Sequence, residues 1–127
     1  MSWTITLDRV SVPRRPEALR DARPLLARLG EAFGQRALGR FLGVGSGTVS
    51  NWLSGKRAMN AEMTKRVLDL HDVMSRALQL YDARVAVDWL IGTDPYLGGA
   101  RPIDVLVLRG AGPVIEALEA HASFGYA

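Results

Sequence analysis

Apolar residues in this chain recur mostly at intervals of three and four, the spacing that lines one face of an α-helix. The longest such stripe falls within residues 61–81, directly after Asn60, a residue type favoured at helix N-caps. The stripe predicts a long amphipathic helix whose apolar face is mainly core, with length left over for a dimer interface. Its members are Met63, Val67, Leu70, Met74, Leu78 and Tyr81.

A shorter helix is predicted before the long one. Asp21 is a typical N-cap residue, and Pro24 is tolerated in a first helical turn. Gly34 ends the pattern, so we expect this helix over residues 22–33. Its apolar face is formed by Leu25, Leu26, Leu29 and Phe33.

The last third of the chain alternates short apolar segments with turn residues. An amphipathic segment starts near Ala83, and a loop dense in glycine and proline follows at 92–102. Pro102 is well placed to start a further helix, which the residues 110–113 break. A final helix is expected over residues 113–121, so the pattern predicts an all-α fold.

The first twenty residues follow a different pattern. Trp3, Ile5 and Leu7 alternate with polar residues, which is typical of a short half-buried β-strand. Such an arm would pair across a dimer or with a partner; the alternative is an extended leader on the domain's own core. The predicted organisation is therefore an N-terminal arm (1–20), a helical domain with its long connecting helix (21–82) and a second helical domain (83–127).

The spacing of Gly39, Gly43 and Gly55 within residues 35–57 predicts two short helices joined by a tight turn. Gly39 lies where the two backbones must approach closely, and Gly43 lies where the first helix must end in a left-handed conformation. Gly55 ends the second helix. The alternative is an ordinary αα-hairpin with a glycine turn. The combined spacing resembles the phage-repressor-like, or Xre-type, helix-turn-helix, and it rests on Gln35, Gly39, Gly43, Val44, Val49, Trp52, Gly55 and Lys56.

This resemblance implies a DNA-binding surface. In this sequence Gly47 offers no side chain and Ser46 a short one, so Asn51 is the residue able to contact a base in bidentate fashion. We therefore expect the affinity to depend mainly on phosphate contacts. The implied DNA-binding residues are Gln35, Lys56 and Arg57 at phosphates and Ser46, Gly47 and Asn51 at the bases, with Thr48 nearby.

The charge distribution favours the same segment. The chain carries a net charge of +3, yet residues 35–66 alone hold six Lys and Arg against one acidic residue. Residues 83–127 hold three against five. Because clustered positive charge attracts nucleic acid, this distribution favours the double-stranded operator DNA that the resemblance implies as a partner. The alternative is a solvated basic surface without function.

The second helical domain carries a second resemblance. Trp89-Leu90, Asp94-Pro95, Leu97-Gly98-Gly99, Arg101-Pro102-Ile103-Asp104 and Leu106 resemble the toxin-binding domain of MbcA/ParS/Xre-type antitoxins, which follows an Xre-like helix-turn-helix. The resemblance implies a RES-domain toxin that consumes NAD⁺, covering of its active site by the antitoxin's C-terminal region, a homodimer within a larger complex, and repression of the shared operon. The implied toxin-binding residues are Asp94, Pro95, Leu97, Arg101, Phe124, Gly125 and Tyr126.

Two side chains in the segment that carries this resemblance have other interpretations. Arg101 would instead bond backbone carbonyls of the loop or pair with Asp104, and Trp89 is expected to be mainly structural. The aromatic residues near the C-terminus would serve as anchors in a partner's pocket, since such residues supply much of an interface's binding energy. A tail without function is the alternative.

No catalytic residues, metal site or cofactor are predicted. The chain has no cysteine, no histidines at metal-ligand spacing and no serine in a strand-turn-helix elbow. The glycines of 43–47 resemble a nucleotide-binding loop only superficially, because no apolar strand precedes them. Without a membrane span or a signal-peptide pattern at residues 1–5, a cytoplasmic protein is expected. The rival functions are a stand-alone dimeric Xre-type regulator and an antitoxin whose helix-turn-helix no longer binds DNA.

Overall fold

The computed structural model describes residues 21–123, which form seven α-helices and one 3₁₀ turn. The predicted N-terminal arm (1–20) lies outside the described residues, as do Phe124, Gly125 and Tyr126. The predicted all-α fold is confirmed over the described range. The helices are α1 (Arg23–Phe33), α2 (Gln35–Leu42), α3 (Ser46–Ser54), α4 (Ala61–Leu80), α5 (Ala83–Ile91), α6 (Pro102–Arg109) and α7 (Ala111–Ser123), with the 3₁₀ turn at Pro95–Leu97.

Helix α4 is the central element, and both α1 and α7 pack against it. Asn60 caps it as predicted, because its side-chain Oδ1 accepts a hydrogen bond of 2.8 Å from the backbone N–H of Met63. The middle of the predicted apolar stripe, represented by Leu70 and Met74, is fully buried. Leu78 departs from that expectation, since it is 39 % exposed near the C-terminal end of the helix.

The start of α1 differs slightly from the prediction. The N-cap residue is Ala22, one position after Asp21. The carboxylate of Asp21 still accepts a hydrogen bond of 3.1 Å from the backbone N–H of Arg23, so it satisfies one of the amides that a helix N-terminus leaves without a partner. Gly34, at φ 88°, then separates α1 from α2.

The last two helices are joined by a single residue. Gly110 adopts φ 87°, a conformation that glycine reaches without strain, and α7 begins directly at Ala111. The expected start at Pro113 was therefore wrong by two residues. Pro113 lies in the first turn of α7, where its missing N–H removes no intrahelical hydrogen bond.

A single cluster of buried apolar residues runs through the described part of the chain. The residues before and after the predicted boundary at Ala83 contribute to it together, because α7 and α5 cover faces of α4. Within residues 21–123, no helix combines the length and the apolar character needed to cross a bilayer. Fully buried members of the cluster include Leu26, Leu38, Val49, Leu70, Leu90 and Val114.

Candidate nucleic-acid interface and partner surface

The turn between α2 and α3 has the geometry that the glycine spacing predicted. Gly43 ends α2 in the left-handed conformation at φ 75°, and Val44 N–H donates to the carbonyl of Gly39 at 2.8 Å. A Cβ atom placed on Gly39 would lie 2.6 Å from the backbone oxygen of Val44. Because no side chain fits in that space, glycine at position 39 is what lets the turn fold back onto α2.

The inner face of α3 fixes its orientation. Val49 is completely buried and Trp52 nearly so, and both belong to the shared core. Helix α3 packs against α2 and against α1. Since these contacts use one side of the helix, the opposite side is turned to the solvent.

The outer side of α3 carries the residues predicted to read DNA. Ser46 and Gly47 are exposed in the first turn, while Thr48 and Asn51 are half-buried. The N-cap is Gly45, whose carbonyl accepts the first hydrogen bonds of the helix. Among residues 21–123, no group bonds the side-chain amide of Asn51, so its donors and acceptor are available to a base edge.

The predicted phosphate-binding cations follow directly after α3. Gly55 ends the helix at φ 82°. The backbone N–H of Arg57 then donates to the carbonyl of Asn51 at 3.1 Å, which anchors the loop to α3. The side chains of Lys56 and Arg57 are exposed and pair with no acidic group in the described part of the chain.

Helix α2 contributes further exposed polar residues. Gln35 is its first residue and is exposed, as predicted for a phosphate contact. Arg36 and Arg40 are exposed on the same helix, although they are not among the residues that resemble the Xre-type motif. Their signal in the sequence is the excess of cations in residues 35–66.

Asp94, predicted to contact a partner, is instead a buried structural residue. Only 1 % of its surface is exposed. Its Oδ2 accepts a hydrogen bond of 2.9 Å from Nε1 of Trp89 and lies 2.7 Å from Nε2 of His121. Its Oδ1 accepts one of 2.8 Å from the backbone N–H of Tyr96. The carboxylate is therefore occupied by its own chain and has no surface to present.

The electrostatics of this buried carboxylate follow from its partners. Burial raises the pKa of Asp94, but hydrogen bonds with His121, with Trp89 and with the Tyr96 backbone outweigh it and hold the pKa below the ordinary value. The interaction between Asp94 and His121 joins residues 27 positions apart. It connects the loop after α5 to the end of α7, and nothing in the sequence pattern indicated it.

The rest of the loop is arranged around Asp94. Its backbone N–H donates to the carbonyl of Ala100 at 3.0 Å, and its own carbonyl accepts from Gly99 at 2.9 Å. Of the other predicted partner contacts, Pro95 is exposed and Leu97 is half-buried. Trp89 is structural, as expected. The role of Asp94 is thus structural, because its hydrogen bonds hold the neighbouring residues of the loop in place.

Arg101 lies at the surface and is paired within its own chain. Its Nε and Nη2 donate to the two carboxylate oxygens of Asp104 at 2.7 and 3.0 Å. This pairing raises the pKa of Arg101 and lowers that of Asp104. Because both side chains are about half exposed, water screens the pair and leaves it exchangeable for a partner's carboxylate.

A groove of about 370 Å³ lies between the helix-turn-helix and the C-terminal helices. Three arginines from different elements line it: Arg40 of α2, Arg66 of α4 and Arg101 before α6. Its apolar lining includes Ile91 and Val107, both of which remain more than a third exposed. The groove therefore offers apolar surface beside positive charge.

No family model, curated protein or solved structure matches this chain. The described residues contain no cluster of three or more His, Asp or Glu side chains that would hold a metal ion.

Proposed function

We propose that this protein binds double-stranded DNA through α2, α3 and the loop after α3, and that it is the antitoxin of a RES-domain toxin whose operon it represses. The observation that carries the DNA-binding part is the outward side of α3, where the side-chain amide of Asn51 has no partner among residues 21–123. Lys56 and Arg57 follow it, and their side chains pair with no acidic group in the same range. An α-helix fits the major groove of B-DNA, and flanking cations bind the adjacent phosphates.

The proposed binding is dominated by phosphate contacts. One side chain, that of Asn51, is able to bond adenine in bidentate fashion, and Gly47 lets the helix approach the base edges closely. The exposed Gln35, Lys56 and Arg57 supply backbone contacts. We therefore expect moderate sequence specificity and an affinity that falls steeply with salt.

The test is a salt titration with the duplex upstream of this gene. Lys56→Ala combined with Arg57→Ala removes two cations, so the slope of log K against log salt should become shallower by about 1.8, with at least a tenfold loss of affinity at about 0.15 M salt. The control, Arg76→Ala with Arg84→Ala, removes the same charge from helices outside the motif. If both double variants lost the same amount of affinity for the duplex, binding would depend on net charge alone, and the assignment of the DNA-binding surface would be contradicted.

The antitoxin part of the proposal is supported by the residues that resemble the toxin-binding domain and by the apolar surface of the C-terminal half. Leu108 is 82 % exposed and Tyr96 is 56 % exposed, and the groove beside Arg101 adds further apolar lining. Ile91 and Val107 lie in that one groove, and contiguous exposed apolar surface is typical of protein interfaces. In the proposed complex, two copies of the chain form a homodimer, and Phe124, Gly125 and Tyr126 enter the active site of the toxin.

Co-expression with a RES-domain protein encoded by the adjacent gene tests this part. Deletion of residues 124–127 should abolish neutralisation of the toxin while the affinity for DNA stays unchanged. Asp72→Ala, which changes an exposed pair on α4, serves as the control that retains both activities. A full-length chain that binds DNA but neither binds nor neutralises the adjacent gene's product would instead be the stand-alone Xre-type regulator.

A further inference from the structure

Two arginines that are 34 positions apart in sequence line one surface cavity of about 260 Å³. Arg23 is the first residue of α1, and Arg57 lies in the loop after α3. Gly55 and Met59 are also part of the lining. The cavity thus adjoins the C-terminal end of the proposed recognition helix, and α1 contributes a cation that the helix-turn-helix pattern does not include.

The guanidinium of Arg23 is oriented by its neighbour. Its Nε and Nη2 each donate to one carboxylate oxygen of Asp21 at 2.9 Å. The side-chain hydrogen bond from Arg23, followed by its backbone N–H, lowers the pKa of Asp21 to about 2. The carboxylate therefore stays ionised at neutral pH and continues to orient the arginine.

The remaining nitrogen of Arg23 points toward Gly55. A Cβ atom on Gly55 would lie 2.7 Å from Nη1, so the arginine occupies the space that any other residue's side chain would need. No acceptor for Nη1 exists among residues 21–123. The φ of 82° is what favours glycine at position 55, and a Cβ there would in addition displace the flexible end of the Arg23 side chain.

Arg57 brings a second set of unused donors to the same cavity. Its backbone is tied to α3 by the hydrogen bond to the Asn51 carbonyl, while its guanidinium has no acidic partner in the described part of the chain. With Asp21 counted against the two arginines, the charged residues lining the cavity leave a net positive charge. Arginine donors in this arrangement suit the oxygens of a phosphate.

We propose that this cavity seats one phosphodiester group of the bound DNA, with Arg23 and Arg57 donating to its non-bridging oxygens. The inference rests on the proposed DNA binding and adds a specific contact from α1 to it. By holding the backbone beside the end of α3, the two arginines fix the depth at which the recognition helix enters the groove.

The test uses the operator duplex with one phosphate at a time replaced by a neutral methylphosphonate. Arg23→Gln should lower the affinity for the unmodified duplex several-fold and make the salt slope shallower by about 0.9, the value for one phosphate. At one backbone position, the methylphosphonate should weaken DNA binding by the wild-type protein but not by Arg23→Gln. DNA binding by Arg57→Gln should likewise be insensitive to a methylphosphonate at that position. The loss of binding free energy in the Arg23→Gln, Arg57→Gln double variant should be smaller than the sum of the losses in the two single variants.

Arg76→Gln is the matched control, because Arg76 is also half exposed and also donates to an aspartate, Asp72, at 3.0 Å. It should keep wild-type affinity and slope. Arg23→Lys should restore part of the affinity, since charge returns without the planar fork. An Arg23→Gln protein with the wild-type slope and the wild-type sensitivity at every phosphate would overturn the proposal, even if Lys56 and Arg57 variants lose binding. A wild-type protein that binds no duplex would overturn both proposals.

To separate DNA from a free ion as the ligand, thermal unfolding is followed with inorganic phosphate at fixed ionic strength. We expect no rise in the unfolding temperature, because a single phosphate lacks the remaining contacts of the duplex. Stabilisation by phosphate that disappears in Arg23→Gln, without any methylphosphonate effect, would identify an ion site and contradict the DNA contact.

Discussion

The outer side of α3 and the loop at Asp94 are both rich in polar residues, and the sequence assigned both to binding. The amide of Asn51 on α3 and the guanidinium of Arg57 in the loop after α3 have no partners among the described residues. In the loop, the carboxylate of Asp94 is bonded by Trp89 and by the Tyr96 backbone and lies against His121. The first region leaves these side-chain groups without partners in residues 21–123, so they are free for the proposed contacts with DNA, whereas the second uses its polar groups to hold its own fold.

Burial explains the difference. A polar group withdrawn from water must be bonded internally, since leaving it unsatisfied costs about 1–3 kcal/mol. Asp94 is withdrawn in this way, and its partners come from α5, the 3₁₀ turn and α7. Asn51 and Arg57 keep contact with water, so they have no such requirement. Substitutions should therefore affect stability in one region and DNA binding in the other.

The largest effect is expected from Asp94→Ala. It leaves the Trp89 indole N–H and the Tyr96 backbone N–H without their acceptor and removes the link to His121. The free energy of unfolding should fall by roughly 3 kcal/mol in urea titrations followed by circular dichroism. Asp72→Ala, on the exposed face of α4, should cost no more than about 0.5 kcal/mol. A loss of similar size in both variants would remove the contrast between the buried and the exposed carboxylate.

A second substitution tests the inner side of the helix-turn-helix. Gly39→Ala places a methyl group 2.6 Å from the Val44 carbonyl oxygen, so the turn must shift and stability should fall by about 2 kcal/mol. Gly47→Ala is the control, because its Cβ meets no atom within 4 Å, and it should be neutral or slightly stabilising. Thermal unfolding of the two variants provides the comparison. If Gly39→Ala were as stable as Gly47→Ala, the close approach at the turn would be refuted.

Asn51→Ala should show the opposite profile to Asp94→Ala. Its unfolding free energy should change by no more than about 0.5 kcal/mol, because its side chain bonds nothing in residues 21–123. Its affinity for the operator should drop about tenfold through loss of one bidentate base contact. Anisotropy measurements with the operator and with a duplex of scrambled sequence distinguish sequence-specific binding from binding to the phosphate backbone alone. An equal drop on both duplexes would argue against base reading by this residue.

The smallest effect concerns pH and again separates the two regions. Since the folded-state pKa of Asp94 lies below the ordinary value, its contribution to stability is present above the unfolded pKa of about 3.9 and is lost as the pH falls through the folded value. As the pH falls below about 4, wild-type stability should thus decline more steeply than that of Asp94→Asn. Unfolding temperatures across this range test it. Parallel profiles would show that Asp94 does not contribute to the decline.

Local patterns in the sequence were enough to predict the helices and the turn. The apolar stripe gave α4 to within one residue at its C-terminal end, and the requirement for a left-handed residue identified Gly43 correctly. Both depend on interactions within a few residues. Assignment of the sites themselves was less complete, because whether a polar residue faces water depends on elements distant in the chain.

The features that sequence did not predict are all long-range or depend on fine geometry. The carboxylate of Asp94 meets His121 from the far end of α7, and the guanidinium of Arg23 lies over Gly55 from another helix. The start of α7 before Pro113 depends on one glycine, Gly110, absorbing the whole change of direction. None of these contacts produces a periodic signal.

The position of α4 has a consequence for how this protein can be divided and recombined. Both α1 and α7 pack against α4, so a fragment ending at residue 82 would expose the apolar surface of α4 that α7 normally covers. Such a fragment should aggregate, and a chimaera that exchanges the C-terminal half must also exchange the matching face of α4. The two parts of the chain are therefore not freely interchangeable in evolution. A new C-terminal part is compatible with this protein only if its apolar residues pack against the existing face of α4.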